Sequence, residues 1–82
     1  MPLFMDVHEL DGVTEEAVAD AHRRDLRIQD RYGVDYRRYW VSEEAGRVFC
    51  LVEGPDAETV ARVHREAHGL VADEIHPVSE HH

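Results

Sequence analysis

Lysine and asparagine are both absent from the 82 residues, and all nine basic residues are arginine. Without lysine there is no Schiff-base nucleophile and no phosphate-binding P-loop. Cysteine occurs once, at Cys50. An internal disulfide is therefore excluded, and a reducing cytoplasm is the expected setting. Bases are also outnumbered, 9 against 18 acids, for a net charge of −9. That balance opposes the counterion release that drives phosphate binding, which excludes a nucleic-acid partner. Apolar runs extend only a few residues, too short for a bilayer span. Met1-Pro2-Leu3-Phe4-Met5-Asp6 has neither a basic stretch nor a long apolar one, so no signal peptide is expected.

What is plentiful is histidine, seven residues in all. A chain of this length forms one domain over residues 1–82, with an expected radius of gyration of about 12 Å and one modest core.

Leu3–Glu9 alternates Leu3, Met5 and Val7 against Phe4, Asp6 and His8, which predicts a strand. Asp11-Gly12 ends it. Thr14, followed by Glu15 and Glu16, forms a helix N-cap with acids in the first turn, and that helix is expected to run to Tyr32 before Gly33. Val34–Glu43 and Arg47–Glu53 are β-branched and aromatic, two strands of a hairpin turning at Ala45-Gly46. Asp56 caps a second helix over Ala57–His68, closed by Gly69. Val71–Val78 makes the last strand, and Pro77 places it at a sheet edge.

The order β-α-β-β-α-β predicts an α+β, ferredoxin-like sandwich, with two helices on one face of a four-stranded antiparallel sheet. If Leu3, Met5 and Val7 face the helices, the open face carries Phe4, Phe49 and Leu51, with Trp40 beside them. That face is too apolar for water and calls for a homodimer.

Polar residues interrupt both helical stripes. At ~100° per residue, Ala57, Val60, Ala61, His64 and His68 share one face of the second helix. Histidines at i and i+4 can ligate one ion, or can be core rings bonded to backbone. The segment His64-Arg65-Glu66-Ala67-His68 is not the zinc-protease motif, because Arg65 stands where that motif needs glutamate. On the first helix, Asp25 lies in the stripe defined by Ala17, Val18, Ala21, Ile28 and Tyr32, with His22 and Gln29 at its border. A carboxylate facing a core must be paired with a cation, whether a metal or a neighbouring arginine. The set His22, Asp25, His64 and His68 offers imidazole and carboxylate donors suited to zinc, nickel, copper or cobalt. Asp6 and His8 form a second candidate with Glu74 and His76 across the neighbouring strand. Whether His8 joins the helix group is left open by the alternation, which turns it away. Cys50, between Val48 and Val52, reads as a buried, inert thiol.

The stretches Asp6-Val7-His8-Glu9, Ala21-His22-Arg23-Arg24-Asp25-Leu26, Arg38-Tyr39-Trp40, Phe49-Cys50-Leu51-Val52-Glu53 and Val63 through Ile75 carry a resemblance. With them the sequence resembles a family of small bacterial nickel-binding proteins of ferredoxin-like fold. The resemblance implies a nickel-binding homodimer serving metal sequestration or detoxification, with His8, His22, Asp25, His64 and His68 as candidate ligands. A rival expectation is a small cofactor-independent enzyme of the ferredoxin-like barrel type, a monooxygenase or isomerase, which needs a deep apolar cavity at His22, Asp25 or His64. A third is a plain interaction module whose histidines satisfy core hydrogen bonds.

Overall fold

The computed structural model describes residues 1–82. Its elements are β1 (Leu3–Glu9), α1 (Glu15–Ile28), a 3₁₀ turn (Gln29–Tyr32), β2 (Asp35–Ser42), β3 (Arg47–Glu53), α2 (Ala57–Ala67) and β4 (Glu74–Val78). The four strands form one antiparallel sheet in the order β2-β3-β1-β4. With two helices, this is the ferredoxin-like α+β fold that the element order predicts. The radius of gyration is 11.8 Å. No helix is long and apolar enough to cross a membrane.

Local chemistry accounts for the helix ends. Thr14 Oγ1 accepts from the Ala17 amide at 3.1 Å, and Asp56 Oδ1 accepts from the Thr59 amide at 2.7 Å, each satisfying an amide that the helix leaves free. After Ile28 the chain tightens into the 3₁₀ turn and stops at Gly33, whose φ of +65° is left-handed. The hydroxyl of Tyr32, in that turn, donates to Glu66 Oε2 at 2.5 Å and ties α2 to the end of α1. The last strand begins at Glu74 rather than Val71. The loop before it is held by Asp73, whose carboxylate accepts from the Glu9 amide at 2.7 Å and whose own amide donates to the Val7 carbonyl at 2.9 Å.

The orientation of β1 is the main correction to the expected fold. Phe4, Asp6 and His8 are buried against the helices, while Leu3, Met5 and Val7 point to the other face and are only half-buried. The register agrees: Phe4, Asp6 and His8 pair with Val52, Cys50 and Val48, all three buried on the helix side. Phe4 therefore belongs to the core and not to the open face. Asp6 and His8 also part company with Glu74 and His76. Those two pair with Val7 and Met5 on the open face and hydrogen-bond each other at 2.9 Å. Alternation misled because both faces of this sheet are apolar in places, so hydrophobicity alone does not say which face meets the helices.

A β-bulge sets the other half of the helix-side layer. Tyr36 pairs with Val52 but Arg38 pairs with Leu51, so Arg37 is an extra residue in β2. Without it, Tyr36, Arg38 and Trp40 would share a face. With it, Tyr36 and Tyr39 both turn toward the helices while Trp40 pairs with Phe49 on the open side. The Tyr36 amide donates to Gln29 Oε1 at 2.9 Å, which explains the polar residue at the border of the α1 stripe.

The open face carries Met5, Val7, Phe49 and Leu51, with Trp40 47% exposed. Glu80, just past the edge strand β4, reaches Arg38 on the opposite edge strand at 3.9 Å. The end of the chain thus passes over part of this face.

Candidate metal centre

Three side chains from two helices converge beneath the sheet. α1 presents Asp25, 2% exposed, and α2 presents His64, also 2% exposed, with His68 at its C-cap. His64 Nδ1 lies 2.9 Å from Asp25 Oδ1. His68 Nε2 lies 3.1 Å from the same oxygen and 3.1 Å from His64 Nδ1. One nitrogen from each ring and one carboxylate oxygen therefore form a nearly equilateral triangle.

Behind His64 lies a second layer from the sheet. His64 Nε2 is 3.0 Å from Asp6 Oδ2, and His8 Nε2 is 3.2 Å from Asp6 Oδ1. Neither approach has the alignment of a hydrogen bond, and both Asp6 oxygens are left without a partner by that measure. The imidazoles of His8 and His64 meet edge-on with centroids 5.0 Å apart. His8 is thus a neighbour of the helix group, contrary to the orientation expected from alternation. Tyr36 packs on the His64 ring at 4.2 Å, and its hydroxyl donates to the Val60 carbonyl at 2.8 Å. This fixes α2 over the sheet at the turn that precedes His64.

Charge follows from these contacts. Burial pushes the Asp6 carboxyl up, but the His64 and His8 imidazoles outweigh it and lower its pKa to about 2. Burial likewise disfavours a charged His64, yet Asp25 and Asp6 prevail and raise it to about 9. Asp25 is pushed up by burial and pulled down further by His64 and His68, so it stays below the usual range. The two carboxylates that flank the His64 ring therefore favour its protonated form in the metal-free protein.

His22 is half-buried and packs on Tyr39 at 4.8 Å. It lines the same small cavity as Asp25 and His68, but it is not among the donors that meet at ligand distance. Burial lowers its pKa, with Asp25 opposing and His64 adding to the fall, which favours a neutral ring. Sequence reasoning groups Asp6 with Glu74 and His76 and reads Cys50 as an inert thiol; what it misses is that both lie beside His64. Their signal was the pairing of β1 with β3, which sets them directly opposite each other.

The triangle fits a metal ion. Adjacent donors ~2.1 Å from an octahedral ion stand ~3.0 Å apart, against ~3.4 Å around a tetrahedral one. Distances of 2.9, 3.1 and 3.1 Å match one octahedral face. The second nitrogen of His64 lies 3.0 Å from Asp6 Oδ2, which places a carboxylate behind the ring as in many metal sites, although out of line for a hydrogen bond. His68 has one adjustment to make. Its Nδ1 accepts from the Leu70 amide at 3.1 Å, so the proton of the neutral ring sits on Nε2. Were His68 to hold a metal through Nε2, its ring proton would have to sit on Nδ1, and the exposed Leu70 amide would turn to solvent.

Residues 4–78 match the family described as nickel responsive protein SCO4226-like. The chain belongs to that family. This SCO4226-like chain is also similar to the crystal structure of SCO4226 from Streptomyces coelicolor A3(2). The two share 41% identity and a TM-score of 0.89, over 98% of this chain and 99% of the other. No curated protein matches it.

Proposed function

We propose that this SCO4226-like protein binds nickel(II) through Asp25, His64 and His68, without catalysing a reaction, in sequestration or detoxification of the metal. The observation that carries this reading is the triangle of donors at 2.9–3.1 Å from two separate helices. The family's nickel responsiveness selects nickel over the zinc, copper and cobalt that the donor types also suit. When bound, the ion neutralises the two buried carboxylates in place of the His64 proton. His22 lines the cavity beside the triangle, and His8 backs His64 through Asp6.

The size of the cavity argues against an organic substrate. Its volume of ≈ 60 Å³ is well below the roughly 300 Å³ or more of usual small-molecule sites. The apolar open face around Trp40 supports a homodimer, and the single free thiol supports a reducing, cytoplasmic setting.

Calorimetric titration of nickel into wild type, His64→Ala and His68→Ala tests the reading. Wild type is expected to bind stoichiometrically, with affinity lower by about tenfold or more in each variant. Equal affinity and stoichiometry in all three would remove the site.

A further inference from the structure

On the sheet side of His64 lie three more potential ligands. Asp6, His8, Cys50 and His64 are all buried, and each offers a donor atom within 4.8 Å of the others. Asp6 and Cys50 are opposite each other in the β1–β3 ladder, and His8 lies two residues along on the same face. The buried side-chain oxygens and nitrogens that lack a hydrogen-bond partner are Asp6 Oδ1, Asp6 Oδ2, His8 Nδ1 and His64 Nε2. All four belong to this one group. Buried polar atoms are nearly always satisfied, so such a concentration in a 0% exposed carboxylate and its neighbours needs a physical cause.

A proton does not supply it. An imidazolium at His64 directs one N–H toward Asp6, out of line, and leaves His8 Nδ1 unserved. A cation at the centre would satisfy the Asp6 carboxylate and His64 Nε2 together, with the His8 nitrogen that faces Asp6, Nε2, as a further donor. We propose that Asp6, His8, Cys50 and Nε2 of His64 form a second, inner site for a divalent ion of borderline softness such as zinc or cobalt(II), with the His64 ring bridging it to the outer triangle.

One thiolate, two imidazoles and one carboxylate make a closed four-donor set of the kind that holds a tetrahedral structural ion. The outer triangle, with three donors beside a cavity, is an open octahedral face. The two sites therefore prefer different ions. Tetrahedral donors stand roughly 3.3–3.8 Å apart; Asp6 lies 3.0 Å from His64 Nε2 and 3.2 Å from His8 Nε2, so those pairs would spread slightly on loading while any wider pairs, all within 4.8 Å, would close. The ion takes the place of the Cys50 thiol proton and the His64 Nε2 proton, both of which go to solvent. Burial above all, and then Asp6, makes that thiol hard to ionise by itself, and a bound cation deprotonates it outright.

Cobalt(II) added to the full metal-free chain is the probe. Two ions per chain are expected, with a thiolate-to-cobalt charge-transfer band and a sulfur neighbour at about 2.3 Å in X-ray absorption. Cys50→Ser should lose the band and one ion. His68→Ala should lose one ion and keep the band, which separates this site from the outer triangle. Cobalt bound by wild type with no sulfur in its shell would overturn the inner site, with no variant required to fold, and would leave the nickel reading standing. A sulfur-ligated ion alongside an empty outer triangle would do the reverse.

Discussion

His64 is the residue on which the account turns, because both of its ring nitrogens face a carboxylate. Metal at Nδ1 must displace a proton from a ring whose pKa is raised to about 9. Nickel affinity is therefore expected to climb with pH up to about 9, above the window of roughly pH 5 to 7 that an ordinary histidine gives. Calorimetry in buffers of different ionisation enthalpy checks this through the protons released per ion. The Leu70 amide is a second reporter. It donates to His68 Nδ1 in the metal-free protein, so its NMR resonance should move and its hydrogen exchange accelerate on nickel loading. An unmoved Leu70 amide would place the ion away from His68 Nε2. Tyr36 positions the ring without touching the ion. Tyr36→Phe removes the bond to the Val60 carbonyl and should reduce stability by about 1 kcal/mol in chemical denaturation, with nickel stoichiometry unchanged.

The elements explain what the sequence disclosed and what it hid. Caps, turn glycines and strand composition were legible because each acts within a few residues: Thr14, Asp56 and Gly33 do in the structure what their chemistry suggests. The helix-borne candidates Asp25, His64 and His68 were legible as polar residues on otherwise apolar stripes, and the structure brings the three together. The orientation of β1 was not, since its apolar alternate residues cover the open face while the polar set enters the core. Nor was the Arg37 bulge, which only cross-strand pairing reveals and which turns both tyrosines onto the histidines. Gly54 shows how closely α2 is seated. A Cβ there would lie 2.8 Å from Val60 Cγ2 and 3.3 Å from Val34 Cγ2, both in the core. Gly54→Ala is expected to destabilise the fold by about 1–3 kcal/mol through overpacking and, by displacing α2, to weaken nickel binding. Denaturation and nickel titration of one preparation check both.

At the scale of the whole molecule, the net charge of −9 includes two buried carboxylates whose compensation depends on pH. His64 is raised from 6.5 to about 9, so its contribution to metal-free stability is complete below about pH 6.5 and lost as pH rises through about 9. Asp6 is lowered from 3.8 to about 2, so its contribution is present above about pH 4 and lost as pH falls toward 2. Metal-free stability should therefore form a plateau between about pH 4 and 6.5 and decline on the alkaline side by on the order of 3 kcal/mol. Urea denaturation with a chelator present measures this. Nickel, replacing the proton, should abolish the alkaline decline. The open face predicts a concentration-dependent dimer in sedimentation, disrupted by Trp40→Glu. The most direct test of the central claim is anomalous diffraction at the nickel edge from crystals soaked in nickel. A peak is expected within about 2.1 Å of His64 Nδ1, His68 Nε2 and an Asp25 oxygen. Nickel peaks found only elsewhere, with the Asp25–His64–His68 triangle still hydrogen-bonded as it is without metal, would contradict it.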